Sequence, residues 1–312
     1  MNMEVENNKI DETDTQRVSV IIPTYNRVDV LYYALNSVFN QTCQDFEVFV
    51  VDDASTDATQ EFMASIKDPR VHYIRFESNR KAAAARNAGM EQARGDYIAF
   101  LDSDDEWWPT KLERQIALMD SLSDEWGCSY GGAYVNKIGG LTNHRVFIPK
   151  KSGRLLKDLL MGELVVWTPT FMFRRSCLEH VDLMDEALVR SQDVDFYIRI
   201  LEKYKMAAFE EPLVNIYLVL NKNLAKVVSE SRKILLDKHA GLIESLGGFS
   251  ASYVYAFGDL VQAEAFFTDG QTTQGLVMLK RAVRRNPFLP IRRYVAIAQH
   301  LVRIVMSVIV DR

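Results

Sequence analysis

Only three of the 312 residues are cysteine (Cys43, Cys128 and Cys177), and none has a second cysteine or histidine at zinc-ligand spacing. That scarcity, with an odd total, argues against a disulfide framework or a structural zinc site and for a reducing, cytoplasmic compartment. Histidine is also sparse, with five residues and no paired spacing. No G-x-G-x-x-G follows the first apolar segment, which argues against a nicotinamide dehydrogenase. A sugar nucleotidyltransferase would carry a glycine-rich basic loop at that point, where Tyr25, Asn26 and Arg27 stand instead. Long hydrophobic runs are missing as well. The most apolar stretch, near the C-terminus, is broken by Arg292, Arg293, Gln299, His300 and Arg303, short of the roughly 20 residues that span a membrane. Met1 to Gln16 is polar and acidic, so it lacks a signal-peptide core and reads as a flexible lead-in.

What is present is an ordinary globular composition, 48% apolar and 25% charged. That suits one large domain with an appendage. The net charge of −5 is unevenly spread: from Gln271 onward eight Lys and Arg residues face a single aspartate.

Between residues 18 and 120, apolar β-branched runs alternate with helical patterns, which predicts a mostly parallel sheet covered on both faces. Strands are expected at Val18–Thr24, Phe46–Val51, Val71–Phe76 and Tyr97–Leu101. A helix over Asp29–Phe39 follows from Val30, Leu31, Ala34, Leu35 and Val38 recurring at three and four. Ser55, Thr56 and Asp57 open a second helix ending near Lys67. A third, Ala82–Ala93, stops at Arg94-Gly95, and Pro109 opens a fourth.

In an open parallel sheet, ligands bind in the crevice beyond the carboxyl ends of the strands. Both Asp52-Asp53 and Asp102 to Asp105 fall at such ends. Two carboxylates at i and i+2 on a turn can converge on one hard cation. Spacing alone is a weak signal, because Asp193-Val194-Asp195 has the same form. That second pair begins an amphipathic pattern through Val194, Ile198 and Leu201, where helix capping and dipole stabilisation are the plain alternative.

Taken in order, SVIIPTYNR (19–27), VVDDASTD (50–57), ARNAG (85–89) and YIAFLDSDDEWWP (97–109) resemble the signature segments of family 2 glycosyltransferases. The resemblance runs from Arg17 to Leu220 and includes Trp167 to Phe173 and QDVD (192–195). It implies an α/β, Rossmann-like GT-A fold over residues 17–220; beyond it, helical periodicity with few strand signals predicts residues 221–312 as an all-helical appendage. The resemblance also implies an inverting transfer of sugar from a nucleotide-diphosphate donor, uridine diphosphate first, in polysaccharide or glycan assembly. On that reading Pro23, Thr24 and Tyr25 lie beside the base or ribose, and Asp53 accepts a hydrogen bond from the base. Arg86 and Asn87 face the donor. Asp102, Ser103 and Asp104 hold ribose, metal and diphosphate, with Asp104 the direct ligand of Mn2+ or Mg2+. Asp193 becomes the general base, with Asp195 in reserve. Where many relatives have Glu-Asp, this chain has Gln192-Asp193.

Several features stay open between two readings. Trp107 and Trp108 either stack on sugar or anchor packing. Asn79, Arg80 and Lys81 either meet phosphate or form a solvated loop, and Trp167, Thr168 and Pro169 are candidates for the acceptor pocket. Leu276, Leu279, Ala282 and Val283 share one helical face, and a basic amphipathic helix is expected over Ile291–Arg303. Such a surface either lies on anionic lipid at the inner face of the membrane, beside a lipid-linked acceptor, or packs on the catalytic domain or a second subunit. Nucleic acid is the least favoured partner for this surface and is not expected, since aromatic stacking residues do not alternate with the charges. A sugar nucleotidyltransferase and a non-catalytic nucleotide-sugar-binding protein are the alternative functions.

Overall fold

A computed structural model describes residues 16–137, 145–218 and 223–289. The expected lead-in through residue 15, His144 and the helix expected over Ile291–Arg303 lie outside them. In chain order the elements are β1 (Val18–Thr24), α1 (Val28–Phe39), β2 (Phe46–Asp52), α2 (Thr59–Ser65), β3 (Val71–Arg75), α3 (Lys81–Gln92) and β4 (Tyr97–Phe100). Then come β5 (Glu106–Trp107), α4 (Lys111–Asp120), β6 (Trp126–Lys137), β7 (Arg145–Phe147), α5 (Leu156–Leu160) and β8 (Met172–Arg174). The chain continues through α6 (Gln192–Lys203), β9 (Lys205–Leu218), α7 (Ala225–Lys238), α8 (Ala240–Ser245), α9 (Gly248–Thr268) and α10 (Thr272–Arg285).

One sheet runs β3-β2-β1-β4-β8-β6-β9-β5, with β7 paired to β6. Its first four strands are parallel, as the sequence predicts. Beyond β4 the sheet is mixed: β8 is antiparallel to β4 and β6, whereas β6 and β9 are parallel. The β6–β9 register shifts at Gly131/Gly132, opposite Phe209 and Pro212. A bulge there accommodates a proline that cannot donate to the ladder.

Side chains alternate across β1, so each strand feeds two cores. Val18, Val20 and Ile22 pack with Leu31, Leu35 and Val38 of α1 and with Leu112 and Met119 of α4. Ile21 faces the other way, into a core shared with Ala85 and Met90 of α3 and with α6. Each such aliphatic side chain contributes about 1.5–3 kcal/mol on burial. The helical C-terminal region joins this second core directly, through Leu235, Leu236, Ile243, Ala251 and Val254.

The outer helix α10 packs on α9 differently from the expected face. Gly275 and Ala282 are its buried residues, whereas Leu276 and Val283 are 49% and 44% exposed. Gly275 is needed there because a Cβ would lie 2.5 Å from the Phe267 ring. No helix among the described residues is long and apolar enough to cross a membrane.

Gly95 also has a role other than the expected helix stop. The helix ends three residues earlier, at Gln92, and a Cβ on Gly95 would sit 2.6 Å from the Ser19 backbone nitrogen. The Gly95 amide donates to Ser19 Oγ at 2.9 Å, and Ser19 donates to the buried Glu47 carboxylate at 2.6 Å. Gly95→Ala is therefore expected to lower stability by about 1–3 kcal/mol through overpacking against backbone. Urea unfolding measures it.

Candidate active site

The parallel register aligns the strand ends that carry the acidic residues. Thr24 pairs with Asp52, and Ile21 with Phe100, so the turns after β1, β2 and β4 meet at one edge of the sheet. Here β1 has neighbours reached by crossovers to opposite sides, which opens a crevice between β1 and β4. A cavity of about 360 Å³ lies in it, bordered by Pro23, Thr24, Tyr25, Asp53, Arg86, Asp102, Ser103 and Asp104. Those are the expected donor-side residues, except Asn87.

Asn87 is turned away. Its Nδ2 donates to the Met184 carbonyl at 2.9 Å, and its Oδ1 accepts the Met184 amide at 2.9 Å. Neighbouring helix positions point about 100° apart, so α3 presents Arg86 to the cavity and ties Asn87 to the 184–186 segment. The two aspartates after β2 likewise differ. Asp52 is fully buried and accepts from the Ser55 amide at 2.8 Å and the Tyr73 hydroxyl at 2.6 Å, a structural role. Asp53 borders the cavity while accepting the Arg80 and Lys81 amides at 2.5 and 2.8 Å, which fixes the start of α3. Its carboxylate keeps further lone pairs for a ligand donor.

Charge is arranged in two arginine–aspartate pairs. Arg86, 6% exposed, meets Asp102 at 2.5 Å and lies over the Phe100 ring. Burial alone would lower its pKa, but the charges of Asp102 and Asp193 more than offset this and raise it. Arg27 pairs with Asp104. Asp105 lies behind them, accepting the Tyr217 amide at 2.9 Å. Burial, followed by the charge of Asp102, pushes its carboxyl well above the usual carboxylate range.

An adjoining cavity of about 440 Å³ shares Arg27, Asp102 and Asp104 with the first and adds Trp167, Thr168, Pro169, Arg190 and Asp193. Asp193 sits in the first turn of α6, and Thr168 Oγ1 donates to its Oδ2 at 3.1 Å. Asp195 is withdrawn from this space, which removes it as a reserve base. It is completely buried, meeting Arg199 at 2.9 Å, Lys238 at 3.0 Å and His239 at 2.8 Å. Burial alone would raise its pKa, but the bond to His239 and the charge of Arg199 outweigh it and bring the carboxyl down to about 2.

Other expectations resolve on the same geometry. Trp107 is 3% exposed and donates to the Pro169 carbonyl at 2.8 Å, so it is a packing anchor. Trp108 stacks on Tyr134, and neither tryptophan borders the two cavities. The Arg80 guanidinium reaches Glu186 at 3.2 Å and covers Phe76, as part of a surface loop. Arg27, Arg190 and Tyr217 were not assigned from sequence. Arg27 stands in the first signature segment, but only the fold shows that it reaches Asp104.

The residues present fit a hard divalent cation. Asp102 and Asp104 offer carboxylate oxygens on one wall, although no group of three His, Cys, Asp or Glu able to hold a metal occurs among the described residues. Two protein carboxylates completed by phosphate and water suit Mg2+ or Mn2+. Two of the lining residues carry buried polar atoms without a hydrogen-bond partner, Thr24 Oγ1 and Arg86 Nε and Nη1.

A sheet with this crevice and two carboxylate-bearing cavities defines the GT-A class. Residues 19–182 match the sequence profile of glycosyl transferase family 2. The chain belongs to that family. It is 41% identical over 120 residues to the UDP-Glc:alpha-D-GlcNAc-diphosphoundecaprenol beta-1,3-glucosyltransferase WfaP of Escherichia coli, covering 38% of this chain and 47% of that one. The chain spans less than half the length of the first curated relatives it matches. Among solved structures it is similar to S. aureus TarS 1-349 in complex with UDP-GlcNAc, with TM-score 0.60 and 19% identity over 86% of this chain and 81% of that one. It is also similar to the mannosyltransferase PcManGT from Pyrobaculum calidifontis in complex with GDP-Man and Mn2+, with TM-score 0.57 and 18% identity over 95% and 88%. At these identities the structures support the fold.

The i, i+2 aspartates of α6 make opposite predictions. Asp195→Asn removes the charge of a fully buried carboxylate that Arg199, Lys238 and His239 all meet, and is expected to cost about 3–5 kcal/mol in urea unfolding. Asp193→Asn should leave stability near wild type. Because the folded pKa of Asp195 lies below its unfolded value, its stabilisation is full above the ordinary carboxylate range and fades as pH falls toward about 2.

Proposed function

We propose that the chain transfers a sugar, with inversion, from a nucleoside-diphosphate sugar to a hydroxyl of a glycan or lipid-linked acceptor in polysaccharide assembly. A UDP-sugar is the favoured donor. The observation that carries this reading is the placement of Asp193 and the Asp102–Asp104 pair on the walls of two adjoining cavities that share Arg27, Asp102 and Asp104. One wall suits a departing diphosphate, and the other suits an attacking hydroxyl.

Thr24 and Asp53 receive the ribose and base. Arg86 fixes Asp102 through one nitrogen and brings a positive charge to the wall of the donor cavity. Asp104 and Asp102 would hold Mn2+ or Mg2+, which when bound supplies neutralisation of the charge that grows on the leaving nucleoside diphosphate. Asp193, oriented by Thr168, takes the proton of the acceptor hydroxyl as that oxygen attacks the anomeric carbon. The names of two relatives support the substrate class: WfaP is a UDP-Glc enzyme acting on a diphosphoundecaprenol-linked sugar, and TarS was solved with UDP-GlcNAc.

A peripheral position at the inner face of the membrane completes the proposal. On α10 the exposed Leu276, Val277 and Val283 share the surface with exposed Lys280, Arg281 and Arg284. Apolar and cationic groups together suit an anionic lipid surface, where a lipid-linked acceptor would lie.

Two measurements check the chemistry. In a thermal-shift screen of nucleotide sugars, UDP-sugars with Mn2+ are expected to raise Tm most, and stabilisation indifferent to nucleotide would count against the donor cavity. Asp193→Asn should reduce transfer by about 10²–10⁴-fold while donor affinity stays at the wild-type value. Near-normal turnover would move the base elsewhere.

A further inference from the structure

The two arginine–aspartate pairs are unequal in a way that the proposed function does not use. Arg86 is 6% exposed, held by the Phe100 ring and by burial, and cannot leave Asp102 without disrupting the core. The Arg27 side chain is 41% exposed, and Asp104 is its ion-pair partner. The Arg27 backbone is fixed, since its carbonyl accepts the Val30 and Leu31 amides at 3.1 and 2.9 Å at the start of α1. Its side chain, by contrast, is part-exposed and anchored through Asp104.

Arg27 and Asp104 together border three cavities: the donor cavity, the acceptor cavity and a third of about 540 Å³ beside Val30 and Tyr33. Their ion pair thus stands at the junction of all three. It also places a guanidinium on the carboxylate that the proposed function gives to the cation. A guanidinium and a divalent cation compete for the same oxygen atoms, and the displaced guanidinium has a ready partner in a diphosphate.

We propose that Arg27 is a mobile counter-ion: it holds Asp104 in the ligand-free protein, yields it to the divalent cation and then pairs with the donor's diphosphate. The proposal rests on Asp104 being a cation ligand. It makes cation binding weak alone and strong with nucleotide, because the arginine's loss on one side is recovered on the other. Arg27 is a positioning residue in this scheme and takes no proton.

The experiment is calorimetric titration of the full chain and its Arg27→Gln, Arg27→Lys and Asp104→Asn variants with Mn2+ alone, and with UDP at saturating Mn2+. Arg27→Gln is expected to bind Mn2+ alone about two- to fivefold more tightly than wild type, the range of an exposed ion pair. The same variant should bind UDP more weakly. Arg27→Lys, which keeps the charge, should match wild type for Mn2+ alone. If Asp104→Asn loses Mn2+ while Arg27→Gln binds it no more tightly than wild type, the counter-ion role is overturned and the cation site stands. If Asp104→Asn binds Mn2+ as well as wild type, the ligand assignment fails and takes this proposal with it.

Discussion

The buried guanidinium of Arg86 is the interaction on which the site depends. Asp102, Asp104, Asp105 and Asp193 converge on connected cavities, and so many carboxylates in one low-dielectric space repel one another. Arg86 offsets that repulsion at the centre: it bonds Asp102, feels the charge of Asp193 and lies over Phe100. It thereby links the end of β4 to the start of α6. At Asp105 burial, followed by the charge of Asp102, pushes the carboxyl upward.

The rest of the fold holds these groups still. Asp53 fixes the entry to α3 through two backbone amides, and α3 in turn delivers Arg86. At α6, Asp195 binds the helix to Lys238 and His239, at and just beyond the C-terminal end of α7. The helical C-terminal region therefore supports the helix that carries the proposed base, and it shares one continuous core with the sheet. An inert appendage would show neither feature.

The parallel half of the fold was legible because its strands are apolar runs that end in acidic turns, as at VVDD (50–53) and FLDSD (100–104). Those ends put most of the residues expected to meet the donor in one cavity. Two details were beyond sequence for a geometric reason. Consecutive helix residues diverge by about 100° and i, i+2 residues by about 200°. Hence Arg86 and Asn87 part company, as do Asp193 and Asp195, and a short motif does not say which member faces the cavity. The long strands β6 and β9 were hidden by register shifts around Gly131, Gly132 and Pro212, which break the alternation that marks a strand. Arg27 escaped assignment because its partner lies 77 positions away and meets it only through the β1–β4 pairing.

A crystal structure of the chain with UDP and Mn2+ tests the central claim most directly. The account predicts uracil beside Asp53, the diphosphate and cation at Asp102 and Asp104, the Arg86–Asp102 pair intact, and Asp193 open to the acceptor cavity. Nucleotide bound outside the β1–β4 crevice, or a cation held away from both aspartates, would contradict it.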